Sequence, residues 1–389
     1  MKNSRVIVVG AGIGGLAAAL GLARGGHQVT VLEQVPELAE VGAGLSITPN
    51  ASKALIALGL AAALERHGSR PPAGAMRHYA TGDILVRLPQ DMTVDTYGVP
   101  LYHMHRADLH TSLLAALRGL QPDALRVNSA VRTVEQDHKG VSAVVASGER
   151  VAADWLIGAD GIHSVVRAAL FGHDAPRFTG FVAWRGLVPA AAAPASLFDP
   201  PLCMTMGPRR LLMRYPLRKG TVINYVAMAH RDAWMEEGWS VRAELAEVQQ
   251  EFADFEPVSQ HLLALTPPER LFKWGLFDRD PLSAWSSGRA TLLGDAAHPM
   301  PPFTGQGAVM ALEDGVVLAR CAAAADDVTE TLERYERARH ARADAALAMS
   351  RARSEVYFAS DPSEQVKALA AGMAELRSLY AYDAGSVPV

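Results

Sequence analysis

Four glycines fall within residues 10–15, in the order Gly10-Ala11-Gly12-Ile13-Gly14-Gly15. The spacing fits G-x-G-x-x-G. It follows the β-branched run at 5–9 and opens an Ala/Leu-rich stretch, the context that gives the pattern its meaning. The first glycine allows a tight turn, the second lets backbone approach a pyrophosphate, and the third packs helix against strand. The helix start adds free N–H groups and positive potential. Glu33 comes 23 residues after Gly10, near the ~20-residue spacing at which a carboxylate accepts hydrogen bonds from an adenosine ribose. The chemistry indicated is dinucleotide binding, and this segment alone does not choose between NAD and FAD.

A second constellation runs Arg289-Ala290-Thr291-Leu292-Leu293-Gly294-Asp295-Ala296-Ala297-His298-Pro299, then Gly305-Gln306-Gly307-Ala308. It reads as strand, turn and helix start. Asp295 at a strand end suits hydrogen bonding from a polyol chain. Gly305, Gly307 and Ala308 would let a helix N-terminus approach a flat ring system, whose reduced anionic form the dipole stabilises. An enzyme using NAD alone has no need of a second cofactor-facing segment so remote from the first.

With Ile157-Gly158-Ala159-Asp160-Gly161-Ile162-His163-Ser164, these segments resemble the class A flavoprotein monooxygenases, the family of 4-hydroxybenzoate hydroxylase. The likeness continues through Gly42-Ala43-Gly44, His105-Arg106-Ala107-Asp108-Leu109 and Tyr215-Pro216-Leu217-Arg218. In type it is nearest to the salicylate, 3-hydroxybenzoate and 6-hydroxynicotinate hydroxylases. The resemblance implies FAD, with Gly10, Gly12, Gly14, Gly15 and Glu33 on its ADP half and Arg106 at the pyrophosphate. Val131 would meet the adenine end through backbone, Asp160 matches the motif shared by FAD and NAD(P)H, Asp295 takes the ribityl or pyrophosphate portion, and Gly307 and Ala308 face the isoalloxazine. Gln34 and Ser46 are counted with this cofactor-binding set. Plain structural alternatives stand beside these: Arg106 as a helix cap, Asp295 as a turn stabiliser, Asp160-Gly161 as a turn dipeptide.

The resemblance further implies that NADH or NADPH reduces the flavin, that O2 adds to give a C4a-hydroperoxide, and that one oxygen passes to an electron-rich aromatic carbon. The nearest relatives often carry a histidine four residues before the tyrosine of the YPLR-like motif, where this sequence has Leu211. A second histidine position corresponds to Ser46, and an aromatic or imidazole position to Phe303. The pocket, with candidates Leu211, Met213, Tyr215, Pro302 and Phe303, is therefore expected either to accept a substrate already ionised or activated by an amino group or ring nitrogen, or to take its base from elsewhere. Tyr215 and Tyr225 are the candidate catalytic, phenol-recognising groups, with a core role as the alternative. Strand alternation puts Leu211, Met213 and Tyr215 on one face. Arg209, Arg210 and Arg214 are available for a carboxylate. His298 reads as shaping the turn before Pro299. His103 and His105 alternate on a strand, but without a third ligand they make no metal site. The expected function is hydroxylation of a small aromatic or N-heteroaromatic, salicylate hydroxylase-like or 6-hydroxynicotinate 3-monooxygenase-like; a flavin-binding protein without hydroxylase activity is the rival.

Such residues need elements that gather 10–33, 157–164 and 289–308 at one cleft. Residues 5–34 read as a β-α-β unit with its helix ending near Arg24. Helices are expected over Asn50–Arg66, Arg106–Leu117, His163–Leu170 and Arg242–Phe252, and strands over 124–136, 141–146, 155–159, 181–189, 211–217 and 221–229. A helix-rich tail runs from Thr329. The fold class is α/β: a Rossmann-like FAD-binding domain interleaved with a mostly antiparallel substrate sheet, plus C-terminal helices. The expected partition is 1–75, 100–176 and 271–340 for FAD, 76–99 and 177–270 for substrate, and 341–389 for the helical tail.

Composition supports a small ligand. Lys+Arg 37 nearly balance Asp+Glu 41 over 389 residues, without a run of like charge, which argues against nucleic acid or a membrane surface. Cys203 and Cys321 follow no metal or redox spacing. Lys2, Arg5 and the apolar stretch after them mimic a signal peptide, but the glycine pattern explains that stretch better. The apolar 308–325 is broken by Glu313, Asp314 and Arg320. A cytoplasmic protein with no integral membrane segment is expected, and a homodimer is a family-based expectation.

Overall fold

The computed structural model describes residues 3–38, 43–89, 92–234 and 241–389. Gly42, part of one motif above, lies outside them. The first crossover is as expected, with strand Arg5–Val9, helix Ile13–Arg24 and strand Gln28–Leu32. It seeds a six-stranded sheet in the order Ser286–Ser287, Ala290–Leu292, Trp155–Gly158, Arg5–Val9, Gln28–Leu32, Leu125–Arg126. The strands are parallel except for the Ser286–Ser287 edge. Parallel pairing sets Val9 beside Leu32 and Gly158, and Gly158 beside Leu292. The segments carrying Gly10, Glu33, Asp160 and Asp295 therefore all leave the sheet at one edge, the usual ligand side of an open α/β sheet.

Helix Gly307–Ala324 packs along Ile13–Arg24. The approach is close because glycines meet alanines: a Cβ on Gly14 would lie 2.9 Å from Ala311 Cβ, and one on Gly315 would lie 2.7 Å from the Ala18 amide. The two glycine-rich segments are thus set against each other by packing before any ligand is considered.

The second sheet has eight strands in the order Val241–Arg242, Leu271–Asp278, Arg177–Pro189, Val222–His230, Arg210–Leu217, Leu202–Gly207, Ala73–His78, Ile84–Pro89. All neighbours are antiparallel except Leu202–Gly207 with Ala73–His78. Helices Leu245–Glu251 and Pro257–Ala264 accompany one face, where Trp184, Leu212, Tyr225, Val248 and Leu262 form one apolar cluster. The opposite face carries Leu211, Met213 and Tyr215, toward a short ribbon of Gly44–Ile47 and Tyr102–His105. The α/β fold with a mostly antiparallel substrate sheet is present as expected.

Several boundaries shift. The helix expected over Asn50–Arg66 is two, Pro49–Ala57 and Ala61–His67, because Gly59 takes φ +76° and turns the chain. Val241–Arg242 joins the sheet, so the next helix starts at Leu245. Strand Leu271–Asp278, which the expected partition gave to the FAD-binding part, pairs with Arg177–Pro189 in the eight-stranded sheet. Helix Val328–Tyr357 runs unbroken through the expected boundary at 340. Among the described residues no helix is long and apolar enough to cross a membrane. Cys203 and Cys321 are buried and free.

Candidate active site

The ADP end is built at the sheet edge. Gly10 has φ +101°, and its amide donates to Leu32 O at 2.8 Å, folding the loop back over the neighbouring strand. Gly12 is the N-cap of the first helix, and a Cβ there would meet nothing within 4 Å. That open cradle fits close approach of a pyrophosphate. Gly15 is pressed onto the Gly10 carbonyl, the helix-to-turn packing read from the pattern, whereas Gly14 faces Leu293 and Ala311 and has a structural reason to be small. The Glu33 carboxylate accepts from the amides of Ala11 (2.8 Å) and Val35 (3.0 Å), which fixes it beside the loop with lone pairs to spare for a diol. Gln34 is exposed. Val131 is buried and pairs with Val145 in a separate three-stranded sheet. Asp160 accepts from Ser164 Oγ (2.5 Å) and from the amides of Val165 (2.8 Å) and Val166 (3.2 Å). Burial raises its pKa and these bonds oppose the rise. Asp160 thus ties the turn before helix Val165–Phe171, whose N-cap is Ser164.

At the flavin end, Arg106 opens helix Arg106–Leu120 and is solvent-accessible. Protein nevertheless surrounds it closely enough that burial lowers its pKa, with the Asp295 carboxylate opposing the shift. Asp295 is half-buried; burial raises its pKa, His298 and Arg106 pull it down, and Asp314 pushes it up. A Cβ on Gly307 would lie 4.0 Å from Asp295 Oδ1, so the carboxylate adjoins the N-terminus of helix Gly307–Ala324. Met310 N donates to Gln306 O at 2.7 Å, so the amides of Gly307, Ala308 and Val309 precede the first intrahelical bond. Amides and one guanidinium as donors, with one carboxylate as acceptor, fit an anionic flavin with a polyol tail.

Residues not singled out by sequence hold this end in place. Arg185, mid-strand in Arg177–Pro189, is buried over Phe272 and Trp274. Burial and then the nearby Arg106 charge push its pKa down to about 10. Its signal was a lone charge inside the apolar run FVAWRGLVP. Beneath the helix start, Asp314 accepts from His298 Nε2 (2.6 Å), Gly294 N (3.1 Å) and Arg339 Nε (2.7 Å). Glu313 accepts from Asn50 (2.7 Å), Arg339 (2.7 Å) and Arg342 (2.7 and 2.8 Å), and Asn50 also donates to Gln306 Oε1 at 3.0 Å. His298 does shape its turn, through Asp314.

On the substrate side, Leu211 and Phe303 belong to one cluster with Phe181, Met206 and Met228. Tyr215, four residues along the same face, is buried against Gly44 and stacks on His103 at 4.2 Å between centroids. Met213 between them is half-buried. Ser46 Cβ is 3.9 Å from where a Gly305 Cβ would be. Ser46 thus links Gly305 on one side to His103 and Tyr215 on the other, while Leu211 and Phe303 share a separate apolar cluster; Met213 and Ser46 are partly exposed and Pro302 is exposed. Tyr225 is not brought here. It lies in the cluster on the other face, with its hydroxyl 3.0 Å from Thr266 Oγ1. The candidate arginines are also elsewhere: Arg214 is buried and donates to Leu197 O (3.2 Å), Arg210 pairs with Asp254 (2.7 Å), and Arg209 meets His230. His105 caps helix Arg106–Leu120 by accepting from Ala107 N.

Residues 3–350 match the FAD binding domain family. The chain is 38% identical over 366 residues to 3-amino-4-hydroxybenzoate 2-monooxygenase of Streptomyces platensis, covering 94% of this chain and 91% of that one. It is 36% identical over 325 residues to 6-hydroxynicotinate 3-monooxygenase of Pseudomonas fluorescens, covering 82% and 83%. The crystal structure of Klebsiella pneumoniae HpxO complexed with FAD and uric acid superposes with a TM-score of 0.84 at 29% identity, covering 96% of this chain and 93% of that one. With the open glycine cradle and the amide-lined helix start, these matches show that the chain belongs to the class A FAD-dependent aromatic monooxygenases.

Proposed function

We propose that this monooxygenase hydroxylates a small carboxylated aromatic or N-heteroaromatic whose ring already carries a hydroxyl or amino group. The reading is supported by the sheet face that puts Leu211 in one apolar cluster with Phe303, a few residues before the start of helix Gly307–Ala324, and by Ser46 beside Gly305. Relatives named for 3-amino-4-hydroxybenzoate and 6-hydroxynicotinate support both ring types.

FAD, once bound, supplies the redox chemistry with O2 after reduction by NADH or NADPH. Gly10, Gly12 and Glu33 hold the ADP half, Arg106 meets the pyrophosphate, and Asp295 with the amides of Gly307 and Ala308 holds the remainder. Leu211, Phe303 and Met213 supply apolar walls that fix the ring and exclude water. Burial raises the Tyr215 pKa, so its phenol stays neutral and serves as a hydrogen-bonding group, not a base. With Leu211 at the usual histidine position, the ring enters ionised or activated by nitrogen. Holoenzyme assayed with hydroxybenzoates, aminohydroxybenzoates and hydroxypyridine carboxylates is expected to oxidise NADH or NADPH faster with at least one, forming one hydroxylated product per nucleotide consumed. A flavin that is reduced but indifferent to every ring tested overturns the reading.

A further inference from the structure

His103 stands directly opposite Ser46 in the antiparallel ribbon. Its Nδ1 is 3.3 Å from Ser46 Oγ, its ring stacks on Tyr215 at an interplanar angle of 25°, and it is 2% exposed. Its Nε2 is buried with no hydrogen-bond partner among the described residues. Burial holds the imidazole neutral, pushing its pKa down to about 3. One proton is therefore shared between two ring nitrogens of unequal surroundings. A proton on Nε2 would leave an N–H without an acceptor in an apolar site, the costlier kind of orphan; a proton on Nδ1 leaves only an unused lone pair there. The second tautomer donates to Ser46 Oγ, and the half-buried Ser46 then has its own O–H free to point elsewhere.

We propose that His103 is a positioning residue: with its proton on Nδ1 it donates to Ser46 Oγ and so makes the Ser46 hydroxyl a donor to the phenolate oxygen of the bound aromatic. The proposal rests on the hydroxylase reading above. A hydroxyl whose polarity is fixed this way favours a phenolate, which only accepts, over a phenol that must itself donate. The pocket thereby selects the ionised ring where a histidine base is absent at Leu211, and the two histidine-free positions become one device.

The test uses holoenzyme and four probes, salicylate, 3-hydroxybenzoate, 3-amino-4-hydroxybenzoate and 6-hydroxynicotinate, followed by flavin difference spectra and by the ultraviolet band of the bound, ionised ring against pH. His103→Phe keeps a ring to stack on Tyr215 and removes the donor; Ser46→Ala removes the hydroxyl. Each is expected to weaken binding of the probe that responds by about tenfold, the worth of a hydrogen bond to a charged acceptor. Each should also raise the pH at which the bound probe ionises, a change that loss of packing alone would not produce. The double variant should be no weaker than either single, because His103 acts only through Ser46. Unchanged affinity in Ser46→Ala overturns the proposal even where His103→Phe does not fold, and so does a double variant weakened about a hundredfold. A wild-type holoenzyme that binds none of the probes overturns the substrate reading and removes the proposal with it, whereas a responding wild type unaffected by both variants overturns the proposal alone.

Discussion

Gly12 and Gly15 belong to one fingerprint but answer to different constraints. Around Gly12 there is room for a Cβ, while at Gly15 the Gly10 carbonyl occupies the place a Cβ would take. Gly12→Ala should therefore leave the stability of the apoprotein within about 0.5 kcal/mol of wild type and weaken FAD binding about tenfold, or ~1.4 kcal/mol. Gly15→Ala should destabilise the apoprotein itself by about 1–3 kcal/mol through overpacking. Apoprotein melting and FAD titration by flavin fluorescence separate the two, and wild-type FAD affinity in Gly12→Ala would remove the pyrophosphate from that position. Glycine spacing and Glu33 were legible in sequence because backbone approach and a strand-end carboxylate are local requirements. Tyr225 was not, because which face of a strand meets the cleft depends on the layers packed outside it. His103 escaped for a related reason, since its meaning comes from Ser46, 57 residues away along the chain.

The elements carrying the motifs were readable from periodicity, but what locks them was not. Helix Val328–Tyr357 falls in the expected helix-rich tail, yet Arg339 on it is fully buried between Glu313 and Asp314. That burial follows from helix Gly307–Ala324 placing two adjacent carboxylates inward, a fact only the packing supplies. Burial raises the Asp314 pKa, but His298 and Arg339 more than offset this and hold it at about 2, below the ordinary 3.8. A depressed carboxylate contributes stability that is present above its unfolded pKa and lost as pH falls through its folded one. The advantage of wild type over Asp314→Asn in urea unfolding should thus hold from pH 7 to about 4 and shrink by on the order of 2 kcal/mol toward pH 2. A constant difference across that range would show that the charge on Asp314 is not what the network uses. Removing the shared cation with Arg339→Met leaves Glu313 to Arg342 and Asp314 to His298 and should still cost about 3 kcal/mol at pH 7.

At the scale of the molecule, interleaved sheets were legible from the change of texture near residue 180 and its return near 289, but the contacts closing one sheet onto the other were not. Two carry the seam. Gly44 N donates to Asn224 Oδ1 at 2.8 Å, and Arg218 grips Asp108 through two bonds of 2.8 and 3.0 Å. The second joins two motifs that sequence could only note separately, Tyr215-Pro216-Leu217-Arg218 and His105-Arg106-Ala107-Asp108-Leu109. Asn224 is the cross-strand partner of Tyr215, so the seam sits directly behind the substrate side of the cleft. If the sheets exclude water from the reacting ring, loosening this seam should spoil product yield before it slows reduction. Asn224→Leu, which keeps the side chain's bulk and removes the acceptor, is expected to retain FAD and oxidise NADH or NADPH at a rate within about threefold of wild type, while a larger share of turnovers releases hydrogen peroxide; the factor is an order-of-magnitude expectation for a lost hydrogen bond outside the ring's own contacts. Arg210→Gln breaks a partly exposed pair with Asp254 on the same sheet without touching the seam, and its peroxide fraction should match wild type. Equal peroxide fractions in the two variants would mean that the cleft is sealed by the apolar cluster of Leu211 and Phe303 and not by the junction of the sheets.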